Sequence, residues 1–97
     1  MMLEHAVLQI RAGDEAEFED AARVALPIIE SAPGCHGAEC RRQAEDPSIY
    51  LLLVLWTSLE AHMAFRETER YAKWRELTHP FYVGALDVTH FHDPVER

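Results

Sequence analysis

Basic residues are scarce in this sequence of 97 residues, in which nine lysines and arginines stand against seventeen aspartates and glutamates. The formal net charge is −8 at pH 7, and protonation of all six histidines would still leave it negative. Such a chain repels a phosphate backbone, whose contacts with cationic side chains supply most of the affinity in nucleic-acid binding. We therefore expect no nucleic-acid partner.

Cysteine is also rare, since Cys35 and Cys40 are the only two in the chain. They lie an odd number of positions apart in a predicted strand, which would place their side chains on opposite faces. We expect no internal disulfide. Two cysteines alone do not form a zinc site.

A long apolar run is missing as well. The longest, Ile49–Trp56, is far shorter than the about 20 residues of a membrane-spanning helix, and the opening Met-Met-Leu-Glu does not resemble a signal peptide. We therefore expect a soluble, cytoplasmic protein with no membrane partner. A hydrophobic fraction of 48% indicates a folded chain, and the length predicts one domain over residues 1–97.

The spacing of apolar residues predicts the first elements. A strand over Glu4–Ile10 precedes an amphipathic helix that begins at Asp14 and ends at Pro33-Gly34. Asp14 and Glu17 have the spacing of a capping box, and Pro27 is expected to bend the last turns. The apolar residues of this helix recur at three- and four-residue steps: Phe18, Ala21, Ala22, Ala25, Ile28 and Ile29.

The rest of the chain predicts three more strands and a second helix in two pieces. The strands are expected over residues 35–43, 49–56 and 85–92, with a turn at 45–48. Thr57 and Glu60 form a capping box that opens the helix. Thr68 starts its second piece, and Pro80 closes it.

The predicted order is β-α-β-β-α-β, an α+β ferredoxin-like fold with a four-stranded antiparallel sheet and the helices on one face. Every residue of the strand over 49–56 is apolar, so both of its faces are expected to be buried. The helices cover only one of these faces. We therefore expect a homodimer in which two sheets pair through their helix-free faces.

Two segments of the sequence carry a family resemblance. They are Tyr50-Leu-Leu-Leu-Val-Leu-Trp56-Thr-Ser-Leu-Glu60-Ala-His62, and Tyr71-Ala-Lys-Trp74-Arg75 with the following His79-Pro80-Phe81-Tyr82. A strand that ends in Trp and leads into a capped helix with Glu-Ala-His resembles the antibiotic biosynthesis monooxygenase family. The resemblance implies a dimeric α+β barrel with a cavity between sheet and helices in each subunit. It also implies oxidation of quinols, anthrones or similar polyketide-like compounds with dioxygen, without metal or flavin.

A similar branch of proteins degrades haem, and this sequence departs from it. Haem-degrading relatives combine an Asn on the first strand with a Trp and a His on the second helix. This chain has no asparagine, and Phe65 falls near the Trp position. The quinol and anthrone branch often carries a second His after the one matching His62, and Phe65 stands there too. The family's catalytic residues therefore do not transfer intact.

Cofactor-free oxygenation needs a base that ionises a phenol or an anthrone inside an apolar, aromatic-walled cavity. Histidine suits this role at neutral pH. His62, on a helix face with Leu59 and Met63, is the first candidate, and His79, before Pro80, is the second. Alternatively, His62 is a buried core histidine without a catalytic role, and the aromatic residues near it only pack in the core. The expected substrate-binding residues are Tyr50, Phe65, Tyr71 and Trp74.

The histidines also allow a different kind of site. Antiparallel pairing of the last strand with the first would bring His90 and His92 near His5, and three histidines can hold a catalytic zinc or iron. The main hypothesis is a dimeric, cofactor-free oxygenase that acts on a small hydroxylated aromatic compound with dioxygen. The alternative from another class is a non-catalytic dimer that binds a small molecule or serves in a stress response.

Overall fold

Four strands and three helices follow one another along the chain. The computed structural model describes residues 1–97 and contains β1 (Met2–Gln9), α1 (Glu15–Glu30), β2 (Cys35–Arg42), β3 (Ile49–Trp56), α2 (Leu59–Phe65), α3 (Glu69–Thr78) and β4 (Asp87–Phe91). A 3-10 turn, His79–Phe81, connects α3 to β4. This order confirms the predicted ferredoxin-like fold. No helix in the chain has the length and apolar character needed to cross a membrane.

The sheet has the strand order β2-β3-β1-β4, and all three pairings are antiparallel. The central strands β1 and β3 pair along their whole length, from Met2 opposite Trp56 to Gln9 opposite Ile49. β4 pairs with the first part of β1, so that His90 lies directly opposite Glu4. This register places Glu4 of β1 and His90 of β4 at the same end of the sheet, where β3 ends at Trp56.

The core lies between the sheet and the helices. Even-numbered residues of β1 and β3 point toward the helices, because side chains alternate along a strand. α1 presents the apolar stripe predicted from its spacing, although Ala21 and Ile28 stay outside the fully buried set. The buried apolar residues are Ala6, Leu8, Ile10, Phe18, Ala22, Ala25, Ile29, Ala32, Tyr50, Leu52, Val54, Trp56, Phe65 and Trp74.

The start of α1 differs from the predicted capping box. The Asp14 side chain makes no cap bond, because its carboxylate accepts a hydrogen bond from Arg11 Nη1 at 2.7 Å. Glu15 Oε1 instead accepts from the Gly13 N–H at 2.9 Å. The helix continues through Pro27, whose carbonyl accepts from the Ser31 N–H at 3.1 Å.

The cap of α2 lies one residue later than predicted. Ser58 Oγ accepts a hydrogen bond from the Ala61 N–H at 3.1 Å, whereas Thr57 Oγ1 donates to the Gly34 carbonyl at 3.3 Å. The second prediction is confirmed, since Thr68 Oγ1 accepts from the Tyr71 N–H and begins α3. Thr57 was the wrong choice because its hydroxyl serves the turn that precedes β2.

The two cysteines do not lie on opposite faces of β2. The register shifts between Cys35 and Gly37, so one extra residue, His36, is inserted there and the alternation slips by one position. Cys35 lies opposite Trp56, Cys40 lies opposite Leu52, and both thiols pack against the core. Both are free cysteines. Five residues of extended strand hold their Cα atoms farther apart than the about 7 Å limit for a disulfide.

The face of the sheet away from the helices is apolar and incompletely covered. Odd-numbered residues of β1 and β3 point to this face, and most are only half-buried. At its edge, Phe91 remains 51% exposed. The apolar residues of this helix-free face are Leu3, Val7, Ile49, Leu51, Leu53, Leu55 and Phe91. A sheet face of this composition is typical of a subunit interface.

α2 approaches the β2 end of the sheet very closely at Gly34. This residue has a φ of +83°, and a Cβ built on it would lie 2.7 Å from the Ala61 Cβ. The Gly34 carbonyl also accepts the Thr57 N–H at 2.8 Å. Glycine thus allows both the left-handed turn and the seating of the helix that follows Trp56.

We predict that the protein forms a homodimer through the helix-free face. Light scattering at low micromolar concentration should give twice the 11.1 kDa mass of one chain. Leu53→Glu should give a folded monomer, because a carboxylate in the centre of the interface would be desolvated and would lie opposite the Glu39 carboxylate of β2. Val24→Glu is the matched control, because Val24 is 61% exposed on α1. A wild-type monomer, or an unchanged dimer in Leu53→Glu, would contradict this interface.

We also predict that Gly34→Ala destabilises the protein by more than about 1 kcal/mol, because it combines a left-handed backbone with a collision against Ala61. Gly13→Ala is the matched control, since Gly13 has a φ of +96° but open space around its Cα. Urea denaturation measures both free energies of unfolding. Equal losses of unfolding free energy in the two variants would show that the collision with Ala61 does not contribute to the destabilisation.

Candidate active site

A small cavity of about 80 Å³ lies between the sheet and the helices α2 and α3. β1 provides its floor, α2 and α3 provide one wall, and the segment after the 3-10 turn provides the other. Its polar lining is restricted to Glu4, His62, Arg66 and His79, together with the Tyr71 and Tyr82 hydroxyl-bearing rings. Apolar residues complete the lining, among them Leu8, Leu52, Phe65, Trp74 and Val88.

Glu4 is the one carboxylate on the inward face of the central strands. It is only 7% exposed, and its Oε1 atom accepts a hydrogen bond from Trp56 Nε1 at 3.0 Å. Burial raises the pKa of the Glu4 carboxyl above its ordinary value, and the bond from Trp56 opposes part of this rise. A carboxylate in such an environment has the properties of a general base or acid.

His62, on α2, lines the same cavity and lies beside Glu4. Its Nε2 atom is 3.2 Å from Glu4 Oε1, and its ring stacks on Trp56 with centroids 5.1 Å apart and planes 12° from parallel. Burial, with smaller contributions from the nearby His90 and Arg66, lowers the pKa of His62 to about 4. His62 is therefore a neutral imidazole at pH 7.

The other nitrogen of His62 contacts β4. Its Nδ1 atom lies 2.8 Å from His90 Nε2, so Glu4, His62 and His90 form a line of three ionisable groups. An ionised Glu4 favours the His62 tautomer with a proton on Nε2, since that N–H then points at the carboxylate. His62 Nδ1 must then accept a hydrogen bond that His90 Nε2 donates. Glu4 and His90 together thereby favour this tautomer of His62.

Aromatic rings surround this polar line. Phe65 lies between Trp56 and Tyr71, with ring centroids at 5.4 and 5.6 Å. His79 packs against Tyr82 at 4.7 Å, and burial lowers the pKa of His79. Burial also raises the pKa of Tyr82 to about 12, so that its hydroxyl stays protonated. These rings form an apolar wall suited to a flat ligand.

The structure brings together five of the six residues predicted for the site. Both candidate bases and three of the aromatic residues line the cavity: His62, His79, Phe65, Tyr71 and Trp74. Tyr50 lies elsewhere, with its ring 4.8 Å from Phe18 and its hydroxyl donating to Glu19 Oε2 at 2.6 Å. Tyr50 therefore serves the packing of α1 on the sheet.

The buried face of α2 also differs from the predicted one. Leu59 and Met63 are 39% and 38% exposed, whereas His62 shares the buried face with Phe65. The reason is the length of α2, which ends after two turns and presents only a narrow stripe to the sheet. Aromatic stacking on Trp56 selects the histidine for that stripe.

The three histidines of the alternative metal site do not converge. His5 points to the helix-free face, opposite Thr89 and 5.5 Å from the Phe91 ring, whereas His90 points to the helices. His92 lies beyond the end of β4 and is exposed. His90 lies directly opposite Glu4, the residue before His5 on β1. Because successive side chains of a strand point to opposite faces of the sheet, His5 and His90 lie on opposite faces and cannot bind the same ion. No other group of three or more His, Cys, Asp or Glu residues is arranged to hold a metal.

Sequence reasoning missed Glu4 and the true partner of His90. A usable signal for Glu4 was present, because it alternates with Ala6, Leu8 and Ile10 on a face that is otherwise apolar. A lone carboxylate in such a position is buried only where hydrogen-bond donors meet it. No sequence pattern pairs residue 62 with residue 90, since that contact depends on how α2 is seated over the sheet edge.

Comparison with known proteins identifies the family. Residues 1–77 match the model of the family described as antibiotic biosynthesis monooxygenase. The chain belongs to this family. It is 43% identical over 94 residues to the uncharacterized protein YczJ of Bacillus subtilis (strain 168), an alignment that covers 96% of this chain and 99% of that protein.

Solved structures of family members share the whole fold. A Bordetella bronchiseptica protein assigned to the antibiotic biosynthesis monooxygenases has a TM-score of 0.91 and 32% identity, and 97% of each chain is covered. A Caulobacter crescentus protein assigned to the same family has a TM-score of 0.83 at 23% identity, with 98% of this chain and 90% of that chain covered. The resemblance seen in the strand that ends at Trp56 is thereby confirmed.

We predict that His90→Phe weakens the preference of His62 for the Nε2-protonated tautomer, because no donor then faces Nδ1 and only Glu4 still favours that form. Nitrogen-15 spectra of histidine-labelled protein should show the Nε2-protonated form in the wild type and a mixture of forms in the variant. His90→Gln is the matched control, since its amide can still donate to Nδ1. An identical His62 spectrum in wild type and His90→Phe would show that His90 does not fix the ring.

Proposed function

We propose that this protein is a monooxygenase that oxidises a hydroxylated aromatic compound, such as a quinol, an anthrone or a related polyketide, with dioxygen and without a cofactor. The observation that carries the proposal is the buried pair Glu4 and His62 in the wall of an aromatic cavity. Membership of the family supports oxygenase chemistry. Cofactor-free oxygenation depends on ionising the substrate, and this pair provides the groups for it.

Glu4 is the base in this proposal, and His62 positions it by donating a hydrogen bond from Nε2 to Glu4 Oε1. Burial raises the pKa of Glu4 toward neutrality but lowers that of His62 to about 4, which makes the imidazole the weaker base at pH 7. The Nε2–H of a neutral His62 points at Glu4 Oε1, so it holds the carboxylate in place for the proton transfer. This assignment reverses the role expected for His62 from its residue type alone.

The proposed reaction begins when Glu4 takes a proton from the activated carbon or the hydroxyl group of an anthrone. The anion passes one electron to dioxygen, and the resulting radical and superoxide combine to form a C–O bond. Protonated Glu4 then returns its proton to the outer peroxide oxygen. The remaining C–H proton leaves as the O–O bond breaks, so that one oxygen atom stays as a ketone and the other leaves in water. The base is regenerated.

The cavity must widen to admit such a substrate. A cavity of about 80 Å³ has space for dioxygen or a few waters, whereas benzene requires roughly 150 Å³ and drug-sized ligands about 300 Å³ or more. Leu86 is 41% exposed in residues 83–86, which form neither helix nor strand before β4. An outward movement of this segment would enlarge the cavity without disturbing Glu4, since β1 is central in the sheet.

The first test is oxygen uptake by metal-stripped protein with a panel of hydroquinones, dihydroxynaphthalenes and anthrones. Heat-inactivated protein corrects for spontaneous oxidation. We expect saturable uptake with at least one electron-rich member of the panel. Folded protein that shows no uptake with any member would contradict the proposed activity and favour a non-catalytic role in binding small molecules.

We predict that Glu4→Gln lowers kcat by about 10²–10⁴-fold, because the amide keeps the bond from Trp56 but cannot accept a proton. His62→Gln should lower kcat by only about 10-fold, since its side-chain amide can still donate a hydrogen bond to Glu4. Thermal denaturation followed by circular dichroism verifies folding of both variants. A larger loss in His62→Gln than in Glu4→Gln would assign the base to His62.

The pH dependence of kcat/KM provides a second test of Glu4. The base acts only when ionised, so activity should be lost as the pH falls through its pKa, and burial moves that loss above the ordinary glutamate value of 4.5. The remaining activity of Glu4→Gln should lack this acid limb. A limb that persists in Glu4→Gln would show that another group titrates.

A further inference from the structure

An open groove of about 700 Å³ lies on the surface beside the cavity, along α3 and the turn before it. Arg66, Tyr71 and His79 line both spaces. The groove is therefore adjacent to the cavity, with these three side chains between them. A ligand in the groove would lie against the same residues that enclose Glu4.

Two arginines of this groove have no carboxylate partner. The Arg66 and Arg75 side chains make no hydrogen bond or salt bridge, although acidic residues outnumber basic ones by seventeen to nine in the chain. Five of the other seven basic side chains pair with carboxylates: Arg11, Arg23, Arg41, Arg42 and Lys73. Free guanidinium groups in so acidic a protein are available to an anion.

The surroundings of Arg66 suit an aromatic anion. Its guanidinium carbon lies 5.9 Å from the centre of the Tyr71 ring, so charge and aromatic surface are presented together. Two carboxylates also line the groove. Glu76 lies 3.7 Å from Lys73, which offsets its charge, and Glu67 is exposed.

We propose that Arg66, assisted by Arg75, binds an anionic group on the substrate and so selects aromatic acids. The inference rests on the proposed function, because it names the class of substrate for the same cavity. An arginine binds a carboxylate with two parallel hydrogen bonds, which fixes the direction of the attached ring. A ring anchored at Arg66 extends past Tyr71 and His79 toward Glu4. Local positive charge also attracts an anion that the net charge of −8 would repel.

The test compares two probes with the same ring, one charged and one neutral, 2,5-dihydroxybenzoate and its methyl ester. Binding is measured by chemical shifts of the protein under nitrogen, where no oxidation occurs. We expect the acid to bind more tightly than the ester and to lose affinity as salt rises. Equal affinities for the acid and the ester, or no binding of the acid, would overturn the proposal.

Substitutions of single arginines test which side chain binds the anionic group. Arg66→Gln should raise the Kd of the acid by about 10-fold or more and leave that of the ester unchanged, and Arg66→Lys should recover part of the loss. Arg70→Gln is the matched control, because Arg70 is exposed on α3 but bonds to Ser31 outside the groove. An Arg66→Gln variant that binds the acid like the wild type would overturn the assignment.

The two proposals fail in different ways. Selective binding of the acid without oxygen uptake by any substrate would contradict the oxygenase and leave the anion site intact. Oxygen uptake with neutral quinols, combined with equal binding of the acid and the ester, would support the oxygenase and contradict the anion site.

Discussion

A buried carboxylate constrains the whole functional end of this molecule. An ionised Glu4 without partners would cost several kcal/mol in an apolar core, so the fold must bring hydrogen-bond donors to it. Trp56, at the end of β3, donates one hydrogen bond, and His62, on α2, lies 3.2 Å away on the cavity side. The left-handed turn at Gly34 permits α2 to approach closely enough for this arrangement.

The two faces of the sheet serve different purposes. On the helix side, even-numbered residues of β1 and β3 form the core and the floor of the cavity; on the other side, odd-numbered leucines form the proposed dimer face. The strand β3 contributes to both, since all of its residues are aliphatic or aromatic. The proposed dimer would bury the second face of β1 as well, and a rigid β1 would keep Glu4 in position while a ligand enters.

Much of the fold could be predicted from local patterns. The bounds of β3, the stripe of α1 and the cap at Thr68 follow from apolar spacing and side-chain chemistry within a few residues. The errors arose where distant contacts decided between local options. Thr57 bonds to the Gly34 carbonyl and leaves the cap to Ser58, and the bulge at His36 turns Cys35 to the core side. The sequence around Thr57 and His36 contains no pattern that predicts either feature.

The sequence by itself determined the order of elements, the two apolar faces of β3, and five aromatic or histidine residues of the cavity, because hydrophobic spacing is a local property of the chain. Only the tertiary structure decided which polar groups meet. Glu4, His62 and His90 come from three elements, and their distances depend on strand register and on the seating of α2. One step along a strand separated His5 from His90, because successive side chains occupy opposite faces of the sheet. Tyr50 faces the helices like the cavity residues, but it packs on Phe18 of α1 instead.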